Sequence, residues 1–454
     1  MAAHADTLLH ARWVVPIEPV GRVIHDGAVV IAQDKIAAVG PAQDLMAQYP
    51  EAKIQRLPNH VLMPGLVNTH THAAMALLKG VGDDLPLQQW LTQRIWPLEG
   101  KLMSHDFVHD GTLLAASEML LGGITCFNDM YFFPEATVRA ARALGMRVAV
   151  GIIVIDFPSP YGSGPDEYLA KGLALRDELL GDRLTSFTLA PHAPYTVSDQ
   201  VFGKVAGLAG ELGLPIHCHI HETAQEVEDS LRTHGMRPLE RLNKLGIVHA
   251  DLIAVHAVHL NEDDIGLLAR ARASVAHCPH SNLKLASGVA PSAAMHRAGI
   301  NLTIGTDGSA SNNRLDLWGE ARTAALLAKG GAGAFTPADA AALPAATILE
   351  CMTLGGAKAL GLDGQIGSLV PGKQADLIAV AFDDAATQPV FDPISHLVYC
   401  ASPTQVQEVW IGGQHVVNKR QHNAQAHAAL HLLWESGTSV WHNRVAEVLS
   451  GITP

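Results

Sequence analysis

Eight apolar, strand-like runs recur between residues 65 and 308, and helical stretches separate most of them. The runs are GLVNTHTH (65–72), ITCFNDM (124–130), RVAVGIIVID (147–156), SFTLAPH (186–192), PIHCHIH (215–221), LIAVHAV (252–258), SVAHCPH (274–280) and NLTIGTDG (301–308). Strands alternating with helices are the rhythm of a parallel α/β domain. Eight such units over about 300 residues match the size of a (β/α)8 TIM-like barrel. An open Rossmann sheet is the alternative, but no G-x-G-x-x-G follows the first run. Between the runs, residues 104–123 read as a helix with Ser104 as N-cap, and PLERLNKLG (238–246) ends at a glycine.

The flanks have a different texture. Residues 7–62 read as short strands, with a polar turn before KIAAVG that predicts a hairpin. Short strands with Gly and Pro turns return at 364–383 and 406–420. The simplest arrangement packs both ends as one small composite β-sandwich domain. The expected division is 1–62 and 366–422 for that domain, 63–365 for a metal-dependent barrel, and 423–454 for a helical tail docked on the surface. A chain of 454 residues suits one large and one smaller core.

A formal net charge of −13 argues against a nucleic-acid partner, since phosphates demand a basic face. The 5% aromatic content and the lack of a Lys/Arg run argue against single-strand binding as well. The N-terminal stretch lacks the pattern of a signal peptide, and no window approaches 18 uninterrupted apolar residues, so no membrane association is expected. Five cysteines, none spaced as CxxC, fit reduced thiols in a cytoplasm. A homo-oligomer, dimer or tetramer, is the expected assembly.

In a TIM barrel the functional groups stand at the C-terminal ends of strands. Here His70 and His72 end the first run, His192 the fourth and Asp307 the eighth. His217, His219 and His221 alternate along the fifth run with Glu222 beside them, and His256 lies in the sixth. Imidazole and carboxylate at so many strand ends point to a site for one divalent ion, with zinc the default and Fe(II) or Mn(II) the alternatives. His70, His72, one histidine of the fifth run and Asp307 would leave a position for water, which the ion would activate near neutral pH. The fourth run has no lysine to be carbamylated, so one ion is expected rather than two. Parity cannot choose among the three alternating histidines. Glu222, three residues beyond His219, favours His219 as ligand with the carboxyl as proton donor or acceptor. His217 is then expected lower in the barrel as a packed or hydrogen-bonded histidine, and His221 just outside the ligands.

With these residues placed, the chain resembles the amidohydrolase superfamily, and within it the 5′-methylthioadenosine/S-adenosylhomocysteine deaminases and their chlorohydrolase relatives. MPGLVNTHTH, LQQWLTQRIWPLE, APHAPYTVS, HIHETAQE, VHAVHL, HCPHSNLKLASG, GTDGSASNN and GSLVPGKQADL carry the resemblance, which is nearly full length. It implies a metal held by His70, His72, His219 and Asp307. His256 would orient the attacking water, Glu222 would protonate purine N1, and Asp307 would pass a proton to the departing amine. It also implies that Glu99 holds the ribose hydroxyls, while Trp90 and His192 supply other ribose and base contacts.

One departure bears on the substrate. S-adenosylhomocysteine carries a carboxylate that calls for an arginine at the pocket rim. VAVGIIVIDFPSPYGSGPDEYLA, after the third run begins, has no Lys or Arg. The expected reaction is deamination of 5′-methylthioadenosine to the inosine analogue and ammonia, with adenosine or S-adenosylhomocysteine as weaker substrates. The rivals are a guanine or 8-oxoguanine deaminase, a triazine-type hydrolase on the same site, and a non-catalytic binding barrel.

Overall fold

The computed structural model describes residues 6–331, 337–418 and 437–452. Four strands come first: β1 (Thr7–Val14), β2 (Ile24–Ala32), β3 (Lys35–Pro41) and β4 (Lys53–Pro64). Then follow β5 (Leu66–Thr71), β6 (Ile124–Asp129), β7 (Arg147–Val154), β8 (Thr185–Pro191), β9 (Ile216–Ile220), β10 (Leu252–His256), β11 (Ser274–His277) and β12 (Asn301–Ile304). The last three are β13 (Leu377–Ala381), β14 (Val406–Ile411) and β15 (Gln414–Asn418).

Each of the eight expected runs forms a strand. They pair in parallel in chain order from β5 to β12, with helices in the crossovers, as a (β/α)8 barrel requires. The ring closes just past the strand ends, where His70 O accepts the N–H groups of Thr306 (3.1 Å) and Asp307 (3.0 Å). Beneath that seam the hydroxyls of Thr69 and Thr303 meet at 2.7 Å. Ser104 caps the helix His105–Leu121 by accepting from Phe107 N, and Gly246 follows Pro238–Lys244 with φ +78°.

Both ends of the chain build the second sheet, in the order β15-β14-β13-β4-β1-β2-β3. The β2–β3 hairpin lies at one edge and folds back, so that Ile36 N donates to Lys373 O and Ala375 N to Asp34 O. The sheet thereby wraps its own core, in which Leu9, Val29, Ile36, Leu62, Leu377 and Trp410 meet. Residues 419–422 of the expected small domain and 423–436 of the expected tail lie outside the described residues. The rest of the tail includes the helix Thr438–Ser450, which buries Trp441 and Val445. Trp441 packs edge-on against Phe107 and donates from Nε1 to Asp110 Oδ2 at 2.9 Å. Among the described residues no helix is long and apolar enough to cross a membrane.

A buried ion pair joins barrel and sheet. Arg147, opening β7, reaches Asp376 with two hydrogen bonds of 2.9 and 3.1 Å, and Asp376 Oδ1 also accepts Gly412 N at 2.8 Å. Arg147→Met would leave that carboxylate buried and unpaired, at an expected loss of about 3–5 kcal/mol in denaturant unfolding. An unchanged unfolding midpoint would show that the clamp adds nothing to stability.

Candidate active site

Strand alternation sends His70 of β5 into the barrel mouth, and His72 follows one residue past the strand. The seam with β12 then presses Asp307 against them. Two glycines make the approach possible: a Cβ on Gly305 would lie 2.9 Å from His70 Cβ, and one on Gly308 3.1 Å from His72 Cβ. The G-T-D-G spacing therefore has a steric reason as well as a chemical one. Asp307 itself adopts a left-handed φ of +56°. Its Oδ2 accepts from Ser281 Oγ (2.6 Å) and Ser311 Oγ (2.8 Å). Oδ1 accepts Gly308 N and faces His70 Nε2 at 3.2 Å and His72 Nε2 at 3.3 Å.

The other ring nitrogens are spoken for. His72 Nδ1 donates to Met130 O at 2.6 Å, and His219 Nδ1 to His192 O at 2.7 Å. A carbonyl only accepts, so in the neutral form of either ring the lone pair stands on Nε2, toward the centre. His70 Nδ1 lies 2.9 Å from His217 Nε2, while its own Nε2 is buried without an aligned hydrogen bond. Ligand atoms of His70, His72 and His219 fall within 4.8 Å of one another, and so do those of His70, His256 and Asp307. Converging lone pairs, a carboxylate and an orphaned Nε2 fit a divalent metal, with three imidazoles and one carboxylate as the natural set.

Burial acts on these groups in opposite senses. It pushes His70 down to about 4 and His192 to about 3, and holds His219 far below the usual imidazole range, so all three are neutral. Burial would raise Asp307, but His70, His72 and His256 outweigh it and keep the carboxylate ionised. For Glu222 the lowering effects of His72 and of a hydrogen bond with Ser287 are outweighed. Burial, then the charge of Asp307, push it up to about 8, so it carries a proton at neutral pH. Glu222 Oε2 stands 3.8 Å from His256 Nε2, and His256 Nδ1 donates to Asn282 Oδ1 at 2.8 Å.

His221 departs from expectation. Its φ of +56° breaks the alternation after Ile220 and turns the ring outward. There its Nε2 accepts Leu239 N and its Nδ1 donates to His259 O. His217, not His221, is the histidine that touches a candidate ligand.

A cleft of about 270 Å³ opens over this cluster. Trp90, Glu99, His192, Glu222, His256 and Asp307 all line it, so each expected site residue faces one cavity or the cluster beneath it. Trp90 and Glu99 come from a helical cover, Leu87–Leu102, whose middle segment Leu91–Ile95 is a π-helix. In a continuous α-helix at about 100° per residue, positions nine apart would face opposite ways. The wider π turn brings both side chains to the cleft. Burial raises Glu99 to about 7, and it accepts the Tyr131 hydroxyl at 2.7 Å.

Several contributors carry no readable mark in the sequence. Tyr131 follows β6 with nothing in its spacing to single it out. Glu226 had a signal, since T-x-x-E at Thr223–Glu226 is a helix-start pattern, but not one that announces a site. Its carboxylate accepts the backbone N–H of Glu222 (2.8 Å) and of His221 (3.0 Å), fixing the peptide that carries the Glu222 side chain.

Comparison with known proteins agrees with this geometry. The model of the amidohydrolase family matches residues 61–416, and that of a bacterial imidazolonepropionase-like composite domain matches residues 27–52. The 5-methylthioadenosine/S-adenosylhomocysteine deaminase of Teredinibacter turnerae is 45% identical over 415 residues, covering 91% of this chain and 93% of the relative. The crystal structure of an adenosine deaminase from Xanthomonas campestris with bound zinc superposes with a TM-score of 0.92 at 47% identity, covering 97% and 99% of the two chains. Atrazine chlorohydrolase from Arthrobacter aurescens, complexed with zinc, gives 0.82 at 25% identity, covering 93% and 100%.

Glu226→Gln would set an amide N–H against a backbone N–H. The expected result is a fall in kcat of about ten- to a hundredfold from misplacement of Glu222, with bound metal unchanged. Metal loss in step with activity would show that Glu226 supports the whole site instead.

Proposed function

This chain belongs to the amidohydrolase family and is a hydrolytic, metal-dependent deaminase; we propose that its substrate is 5′-methylthioadenosine, converted to the inosine analogue and ammonia. The observation that carries this reading is the cleft itself. A buried, protonated Glu222 and a candidate metal cluster stand at its floor, with Glu99 and Tyr131 on its wall.

The proposed ligands are His70, His72, His219 and Asp307, holding one zinc ion per chain. Zinc in both solved relatives favours that ion over Fe(II) or Mn(II). When bound, it would serve as the Lewis acid that makes water nucleophilic near neutral pH. The chain's own residues handle the protons. Asp307 takes one from the water as its oxygen adds to C6, and Glu222 gives one to N1. Glu222 then regains a proton from the new hydroxyl, Asp307 passes its proton to the amine, and the C6–N bond breaks to release ammonia. His256, held through Asn282, presents Nε2 to the incoming water. Desolvation is the main reason Glu222 is protonated.

Glu99 is the proposed acceptor for both ribose hydroxyls, Tyr131 leaving Oε2 free. Trp90 and His192 complete the nucleoside contacts. A buried carboxylate on the wall of the cleft favours a nucleoside over a bare guanine or a triazine, and the complete donor set argues against a non-catalytic barrel. Trp96, Phe132, Ile155, Phe157 and Pro160 line the cleft, and among the described residues no lysine or arginine does. Such walls suit a methylthio group better than the amino-acid tail of S-adenosylhomocysteine. Five free cysteines, four of them buried, favour a reducing cytoplasm.

Side-by-side kinetics test the substrate. The highest kcat/KM is expected for methylthioadenosine, with lower values for adenosine and S-adenosylhomocysteine. Faster turnover of S-adenosylhomocysteine would overturn the 5′ assignment, and turnover of guanine alone would overturn the nucleoside. Glu222→Gln is expected to retain the metal and lose about 10²–10⁴ in kcat. Retained activity would remove Glu222 from its role.

A further inference from the structure

Two of the three converging imidazoles are oriented by backbone carbonyls, which can only accept: Met130 O for His72 and His192 O for His219. His70 alone leans on another imidazole, His217, at 2.9 Å between His70 Nδ1 and His217 Nε2, with the rings in an edge contact of 5.0 Å between centroids. A neutral imidazole can donate or accept, so this pair has two proton arrangements.

In one arrangement His217 carries its proton on Nε2 and donates to His70 Nδ1. His70 then carries its own proton on Nε2, aimed at Asp307 Oδ1 3.2 Å away, and has no lone pair for the centre. In the other, His217 is protonated on Nδ1, its Nε2 accepts from His70 Nδ1–H, and His70 Nε2 is bare. Only the second makes His70 a metal ligand. It leaves His217 Nδ1–H buried without a partner, and His217 Nδ1 does lack one in the structure.

We propose that His217 is a positioning residue for the metal site, acting as the hydrogen-bond acceptor that holds His70 in its metal-binding tautomer. Strand geometry explains the placement. His217 and His219 share one face of β9, so a single strand supplies one ligand and the support of another. Partners of this kind both orient a ligand ring and raise its basicity. The proposal rests on the ligand set given above.

The test is zinc affinity of the metal-free protein, measured by competition with a chromogenic chelator. In His217→Gln the side-chain oxygen can stand where Nε2 stood and still accept from His70. In His217→Asn the shorter amide withdraws that acceptor, and in His217→Leu it is gone. Asn and Leu are expected to weaken zinc binding about 10- to 100-fold, while Gln stays close to the parent. Thermal unfolding of the metal-free Asn and Gln proteins, two polar replacements, is expected to coincide and so separate the effect from general stability. Visible absorption of the cobalt-substituted proteins gives a second readout, with altered coordination expected for Asn and parent-like spectra for Gln. Equal affinity for Asn and Gln, whether both weak or both like the parent, would overturn the role of His217. A parent protein that takes up no divalent ion would overturn the ligand set instead.

Discussion

The carbonyl of His70 accepts two backbone N–H groups, those of Thr306 and Asp307, and the site depends on that seam. It closes the barrel between its last and first strands. In the same act it places a carboxylate 237 positions later in the chain within 3.3 Å of two imidazoles. Gly305 and Gly308 let the backbones approach so closely. Ser281 and Ser311 then hold the far carboxylate oxygen, so the near one faces the imidazoles.

Desolvation supplies the chemistry once geometry is set. A buried imidazole loses its proton and a buried carboxyl gains one, so one dry cavity gives neutral imidazoles and a protonated acid together. Asp307 escapes because three imidazoles surround it, whereas Glu222 meets His256 at 3.8 Å and the charge of Asp307. Two carboxyl groups thus take opposite states, and on the proposed reading one accepts a proton and the other donates one.

The cleft is shaped by elements outside the barrel. Its cover, Leu87–Leu102, packs on the barrel side against Ala74 and Met75, and the helix Thr438–Ser450 joins the same apolar cluster through Trp441 and Val445. Specificity on the proposed reading comes from this cover and from the apolar segment around Phe157, not from the strand ends that carry the chemistry.

The fold was largely legible from residue pattern. All eight strand runs, the Ser104 cap, the β2–β3 hairpin and the union of the two chain ends follow from periodicity and turn chemistry. The meeting of His70, His72, His219 and Asp307 at the barrel mouth was legible too, because functional groups in a barrel stand at the strand ends. The partners of these groups were not. Alternation places His217, His219 and His221 on one face, but a left-handed residue at His221 sends its ring outward and leaves His217 against His70. Trp90 and Glu99 share a wall only because a π turn lies between them. Glu226 and Tyr131 act through contacts four and 32 residues away that no spacing rule marks. Residue types and their period set which elements form and which groups meet at the barrel mouth. Where each ring points, and which proton it carries, comes from packing, since a few degrees of backbone decide whether a side chain faces the site or leaves it.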